Sequence, residues 1–594
     1  MTTETIPQTL DLVEHARLAL NVLTRAVVPQ QYYAVWQCMY LHTNPACFAW
    51  PNWITAQWVE ALPGLRAMTG DDRNAGVEKA MMNSLLERIG PDGLLYHPPV
   101  SPDIPPGTAY PANCARMILA MDAWHERDGD PAWIDRIRAM AEGLAKIAIR
   151  RNHCAYYPPE SGWAGGTWSF TQRGAGRTEF YPYSPPDEPS RDQQGHEGAV
   201  KLDNALPIRG LVRAYTLTGD EALLEAARRL AAFCLLPAMW EPGADWGFPG
   251  HEHGLFAGHF HGNAAALRGL LDLAVATGDA SLKGFVREAY EHARRAGIPR
   301  IGWFPAWVVP ERFGRSPYLR SVCETCGIAD MLALAIAMSD AGIGDYWDDA
   351  DACVRNQLVE QQITDADRLA ALRREVESTQ PRQQVNDVLE ATGNVVERSL
   401  GGFAMGGPAS LNPVAAWGCC TGSGSLALHD AWESIVRYAD GLATVNLLLN
   451  RTSPWVDVAS RLPFDGRVTI TARTARKLAV RIPGWASVEQ AAASLAGQEI
   501  TPARVGRYLV IDGLKEGQTV EIAFPPVERS ESCTVNGRRW QLVFRGNTLV
   551  DISPRDDGGP AAYPIYRRGD VRAAAPAEQS ADGTEDEDAE EEDV

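Results

Sequence analysis

Residues 206–235 read LPIRGLVRAYTLTGDEALLEAARRLAAFCL, and residues 264–295 repeat the plan as AAALRGLLDLAVATGDASLKGFVREAYEHARR. Each is an amphipathic run, a Thr-Gly-Asp turn and a second amphipathic run, with apolar residues at helical spacing on both sides. Glycine suits the left-handed position that ends one helix, and aspartate can cap the next. Related turns stand at 69–71, 128–130 and 343–345, and helical periodicity dominates residues 8–440. The intervals are too irregular for a short-period solenoid. Helical hairpins repeated over this length predict an (α/α)6 toroid, a barrel of paired helices; an irregular helical domain is the plainer alternative.

Beyond residue 440 the period changes to two. Short runs such as RVTITART, KLAVRIPGW and TVEIAFPP, separated by turn residues, predict an antiparallel β-sandwich over 441–575. Residues 576–594, PAEQSADGTEDEDAEEEDV, hold ten acidic residues and no basic one. Such a run cannot bury apolar surface and reads as a disordered, solvated tail. The expectation is a multidomain α+β chain: a helical catalytic domain at 1–440, the sandwich, and the tail. The charged stretch 363–400 reads as a partly helical insertion or interface element.

The chain has 594 residues and a formal charge of −20, much of it in the tail. The body is only mildly acidic, which argues against a nucleic-acid partner. No basic segment followed by an apolar one opens the chain, and no apolar stretch is long enough to span a membrane. Eleven scattered cysteines form no dense framework. A cytoplasmic protein with free or metal-bound thiols is expected, and exposed sheet edges could support a homodimer.

The chemistry concentrates at two cysteine clusters. GCCTGSGS at 418–425 places Cys419 beside Cys420. Adjacent Cα atoms lie about 3.8 Å apart, short of the roughly 4.4–6.8 Å of an ordinary disulfide. The pair reads instead as metal ligands, as a reactive thiol with a helper, or as two small buried residues. CETCG at 323–327 adds Cys323, Glu324 and Cys326. Thiolates with one carboxylate satisfy tetrahedral zinc. Spacing alone leaves a structural zinc site, a catalytic zinc-thiolate and plain buried cysteines open. Four histidines crowd HEHGLFAGHFHG: His251, His253, His259 and His261. A second metal there is an alternative to ordinary loop packing. Long aromatic loops at 156–190 and 239–262 suit stacking on sugar faces, or plugging a barrel end.

CETCG, WGCCTGSGSLALHDAWESIVRY, KLAVRIPGWA and FRGNTLVDIS, in that order, resemble the β-L-arabinofuranosidase family, glycoside hydrolase family 127 and its relatives. The resemblance runs over roughly residues 200–555 and departs at TGSGS, where the family commonly carries prolines. It implies an α/α six-hairpin barrel followed by β-sandwich structure. It also implies one zinc held by Glu324, Cys326, Cys419 and Cys420, with Cys419 as nucleophile. Cys323 has no counterpart and leaves an all-cysteine ligand set open. Glu324 is preferred because residues 324 and 326 would face the same way in an extended segment. The family's E-x-F context matches Glu311, Arg312 and Phe313, which makes Glu311 the acid/base; a solvated loop glutamate is the alternative.

GHFHGNAAALRGL resembles the family's G-H segment opening a helix, which implies His259, with His261 beside it, as sugar contacts. In HEGAVKLDNALPIRGL, His196 or Asn204 would stand in the equivalent place. The implied activity is retaining hydrolysis of a small glycoside, such as a β-L-arabinofuranoside. Two other readings remain: a non-catalytic carbohydrate-binding or scaffold protein with a structural zinc site, and an α/α-toroid lyase or unsaturated-glycoside hydrolase.

Overall fold

The computed structural model describes residues 9–40, 47–50, 53–98, 107–158, 161–164, 166–171, 180–182, 199–240, 253–379, 390–391, 394–556 and 562–566. The expected acidic tail and His196 lie outside the described residues. The helices are α1 (Leu12–Arg25), α2 (Trp53–Thr69), α3 (Ala75–Leu86), α4 (Pro111–Asp128), α5 (Ala132–Ile147), α6 (Ala199–Thr218), α7 (Glu221–Cys234), α8 (Phe260–Thr277), α9 (Ala280–Arg295), α10 (Thr325–Asp340), α11 (Trp347–Ala352), α12 (Ala366–Thr379), α13 (Val395–Ser399) and α14 (Gly418–Ile435).

Packing links six of these in a closed cycle: α2 on α4, α4 on α6, α6 on α8, α8 on α10, α10 on α14, and α14 back on α2. A second helix backs each one. α3, α5, α7, α9 and α11 lie against α2, α4, α6, α8 and α10, while α1 lies against both α14 and α2. Residue chemistry sorts the two layers. α10 buries every residue from Thr325 to Ile336, and a helix apolar on all sides belongs inside. α9 buries Leu282, Val286, Ala289, Tyr290 and Ala293, a single stripe at helical spacing.

The turns follow the glycine-aspartate logic at most positions. Gly129, Gly219 and Gly278 adopt φ of 70°, 70° and 69°, open to glycine without a Cβ penalty. Asp220 caps α7 by accepting from Ala222 N at 2.9 Å, and Asp279 caps α9 through Ser281 N and Leu282 N at 2.9 and 3.0 Å. The turn at 343–345 differs. There the left-handed glycine is Gly342, and Asp345 pairs with Arg481.

Helical periodicity does not account for all of 8–440. Ala34–Tyr40 pairs with Cys47–Trp50 and, on its other side, with Ala415–Trp417. Ser161–Ala164, Thr167–Thr171 and Phe180–Pro182 form another small sheet. The stretch AVWQCMY carries Val35, Trp36 and Tyr40, types that favour strands, and it is paired on both sides. The first of these sheets matters for the site, because it delivers Trp417 to the start of α14.

After α14 come two larger sheets and a three-stranded one formed by Glu528–Val535, Arg538–Arg545 and Thr548–Ser553. Alternation sets their faces. Arg467–Ala472 buries Val468, Ile470 and Ala472, and Thr519–Ala523 buries Val520 and Ile522. These share one hydrophobic cluster with Leu478, Val480, Leu509 and Ile511 of the neighbouring sheet. The pairing is not wholly antiparallel: Leu442–Val445 and Lys477–Arg481 run parallel. A parallel pair needs a crossover, and residues 446–476 supply it by way of strands in the other sheet. Arg481 is buried and bonds Asp345 and Asp348, tying the β region to the residues around α11. In the stretch 363–400, α13 packs on α1 and α12. Among the described residues, no helix is long and apolar enough to cross a membrane.

Candidate metal centre and active site

Three consecutive members of the helix cycle, α8, α10 and α14, bring their first turns together. α10 begins at Thr325 directly after the short strand Cys323–Glu324, which pairs with Met405–Gly407. The Thr325 hydroxyl donates to Ala404 O at 2.7 Å and anchors the junction. α14 begins at Gly418, so Cys419 and Cys420 occupy its first turn. Trp58 Nε1 donates to Gly418 O at 2.8 Å, and a Cβ on Gly418 would stand 2.7 Å from Trp36 O. The helix start is therefore pressed tightly against α2 and the first sheet.

This packing gathers Glu324, Cys326, Cys419 and Cys420, whose ligand atoms all lie within 4.8 Å of one another, all buried. The Cys326 and Cys420 sulfurs are 3.7 Å apart. A tetrahedron with metal–sulfur bonds of about 2.3 Å has edges of about 3.8 Å, so the spacing fits a tetrahedral ion. One carboxylate and three thiols, on helix N-terminal turns that favour anions, form a donor set for a soft or borderline metal. Cys323 lies outside this group, with Gln357 Nε2 donating to its sulfur at 3.8 Å. The reason for the grouping differs from strand alternation. The extended backbone ends at Glu324 (φ −127°, ψ 128°) and Cys326 is already helical, so a strand-to-helix junction turns both side chains inward.

Electrostatics separates the thiols. Burial pushes Cys326 and Cys420 well above the ordinary thiol range, whereas hydrogen bonds from Cys326 and then Cys420 hold Cys419 well below it. Cys419 is also the more accessible, 7% exposed against 0% for the other two. For Glu324, burial pushes the carboxyl up. The charge and hydrogen bond of His259 outweigh that and hold it below its usual value.

Two solved β-arabinofuranosidases of glycoside hydrolase family 127 match this architecture. One, a β-L-arabinofuranosidase from Geobacillus stearothermophilus T6, superposes with a TM-score of 0.54 at 14% identity over 92% of this chain and 86% of its own. The other gives 0.56 at 16% identity over 92% and 84%. This chain has the family 127 fold. A third solved structure, a glycoside hydrolase, gives 0.57 at 13% identity over 91% and 81%. No protein-family model and no curated protein matches the sequence.

Within this fold TGSGS forms part of the first two turns of α14. A Cβ on Gly422 would meet Gln57 at 2.8 Å, and one on Gly424 would meet the Phe403 ring at 2.5 Å. Gln57 Nε2 donates to Ser423 Oγ at 2.8 Å across that contact. The glycines allow α14 to approach α2 and Phe403 closely, and so set where the cysteines stand.

The histidine cluster divides among separate partners. His259 Nε2 bonds Glu324 Oε2 at 2.7 Å, His261 Nδ1 bonds Asp330 Oδ2 at 2.6 Å, and His253 Nδ1 bonds Glu288 Oε2 at 2.5 Å. Among the described residues they form no second metal cluster; His251 lies outside them. Trp307 stacks on His259 with ring centroids 5.7 Å apart, and Phe313 packs on Trp307 at 6.0 Å. Glu311 shares the short turn Pro310–Phe313 with Phe313. Its side chain is 42% exposed and bonds Arg320 at 2.6 Å, and among the described residues no hydrogen bond or ion pair joins it to the cysteine group. Asn204 spends its amide on the Tyr157 backbone, accepting from N at 2.7 Å and donating to O at 3.1 Å.

Sequence reasoning missed Asp330 and Arg268, whose Nη1 donates to Asp330 Oδ1 at 2.9 Å. The signal was present: a lone aspartate within CGIADMLALAIAM and a lone arginine within AAALRGLL. A charge on a helix buried all round must be paired.

Proposed function

We propose that the protein is a cytoplasmic, zinc-dependent, retaining glycoside hydrolase acting on a β-L-arabinofuranoside or similar small glycoside. In this reading residues 1–440 form an (α/α)6 toroid carrying the site, 441–575 a β-sandwich and 576–594 an acidic tail. The observation that carries it is the buried Glu324, Cys326, Cys419 and Cys420 group, set within a fold whose solved examples include family 127 β-L-arabinofuranosidases. The nine cysteines with described side chains are all free thiols, in keeping with a reducing compartment.

Zinc on these four residues would keep the thiols deprotonated and their positions fixed. The rest is done by the chain. Cys419 Sγ attacks the anomeric carbon; the carbon–sulfur bond forms as the bond to the leaving oxygen breaks. Glu311 gives its proton to that oxygen and, now a carboxylate, takes a proton from a water that attacks the same carbon. The carbon–sulfur bond breaks and the thiolate returns, so two inversions give net retention. His259, His261 and His196 bind the sugar hydroxyls.

One observation favours a second reading, carbohydrate binding around a structural zinc: Glu311 stands on a half-exposed turn, paired with Arg320. Zinc content measured alongside nitrophenol release from a panel of synthetic glycosides, including the β-L-arabinofuranoside, separates the two. One zinc per chain with turnover blocked by iodoacetamide is expected. One zinc without turnover on any glycoside would favour the binding reading, and absence of zinc would overturn both.

A further inference from the structure

The helix cycle carries a buried charge chain that the proposed reaction does not use. His261 stands in the first turn of α8, and Arg268 lies two turns further along the same face. Between them Asp330 projects from α10, with Oδ2 2.6 Å from His261 Nδ1 and Oδ1 2.9 Å from Arg268 Nη1. Asp330 is 4% exposed. Arg268 also lines the cavity among the C-terminal halves of the inner helices, beside Asp272 and Asp430. The chain thus runs from the cysteine end of the cycle towards its other end.

The proton positions follow from the chemistry. An ionised carboxylate only accepts hydrogen bonds, so the nitrogen facing Asp330 must carry hydrogen. Arg268 is always protonated and supplies the balancing charge, so Asp330 does not need a charged imidazole to remain ionised. His261 is then satisfied as the neutral ring with hydrogen on Nδ1, and Nε2 bears a lone pair. Among the described residues no hydrogen bond reaches that Nε2. The ring lies edge-on to His259, centroids 5.5 Å apart, and His259 bonds Glu324. A lone pair beside the candidate metal ligands is an acceptor for a hydroxyl.

We infer that Asp330 and Arg268 are positioning residues: together they hold His261 in its Nδ1–H form, so that Nε2 accepts a hydrogen bond from a hydroxyl of the bound sugar. The role in sugar binding rests on the hydrolase reading above; the state of the ring does not.

Two measurements test this. Solid-state 15N spectra of histidine-labelled protein at pH 7.5, wild type minus His261→Gln, isolate the His261 signals. A protonated Nδ1 with a bare Nε2 is expected, and Asp330→Asn should abolish that pattern. An Nε2–H ring or an imidazolium in the wild type would overturn the inference, whatever reaction the protein catalyses and whether or not the Asp330 variant folds. Kinetically, Asp330→Asn should lower kcat/KM by about 10–100-fold at unchanged zinc content. The double variant should lose no more than His261→Gln alone, because Asp330 acts through the histidine, and Arg268→Lys should keep most of the activity. Additive losses would assign Asp330 to holding the helices and overturn the positioning role. Absence of turnover in the wild type would sink the hydrolase reading, and the spectra would still decide the ring state.

Discussion

Cys419 and Cys420 share a peptide bond but not an environment. One is 7% exposed, with its thiol held down by its neighbours; the other is fully buried and pushed up. Successive residues on a helix point about a third of a turn apart, so one sulfur can face the substrate space while the other faces the interior. Cys419→Ser should therefore lower turnover by at least about three orders of magnitude, with the fold retained. Cys420→Ser should release the metal more completely than Cys419→Ser and lower the Tm further. Metal analysis and thermal melts on the two variants check the division; equal metal loss in both would argue against it. Asp330 provides a pH-dependent test. Burial raises its carboxyl, but His261 and then Arg268, both bonded to it, bring it from 3.8 to about 2. Because the folded value is the lower one, the stabilisation is complete above about pH 4 and disappears as pH falls towards 2. It amounts to about 2 kcal/mol, so wild type and Asp330→Asn should converge in stability across that window in urea titrations.

Among the elements, α14 carries the most demanding packing. Gly424 faces the buried Phe403 ring and Gly422 faces Gln57. Gly424→Ala should destabilise by about 1–3 kcal/mol through overpacking, and it should also reduce metal retention, because α14 must move away from Phe403 to relieve the clash. Gly422→Ala meets a flexible glutamine side chain and should cost less. Melting curves with and without chelator measure both effects. The helix hairpins and their caps were legible in the sequence because each depends on residues a few positions apart. The strand Ala34–Tyr40 was not read from the sequence, because the helical pattern around it dominates that stretch of chain. The parallel pairing of Leu442–Val445 with Lys477–Arg481 was not, since register between distant strands depends on the connection that separates them.

At the scale of the whole molecule, Arg481 is the clearest joint. Its side chain is 3% exposed, and its guanidinium reaches Asp345 and Asp348 from the β region. Arg481→Ala would strand two partly exposed carboxylates at the junction and should destabilise by about 2 kcal/mol or more. Loss of a single cooperative transition in urea is the expected signature. The sequence alone determined the helical hairpins, the change of period near residue 440, and the residue types able to bind a metal. Those properties depend on local spacing and side-chain chemistry. Only the tertiary structure decided that Glu324 and Cys326 meet Cys419 and Cys420, separated by about ninety residues of chain, and that Cys323 does not join them. It alone paired His261 with Asp330 and left Glu311 on a surface turn beside Arg320. The physical reason is closure of the helix cycle. The position of each first turn is set by packing against helices elsewhere in the chain, and no local pattern records where such a cycle will close.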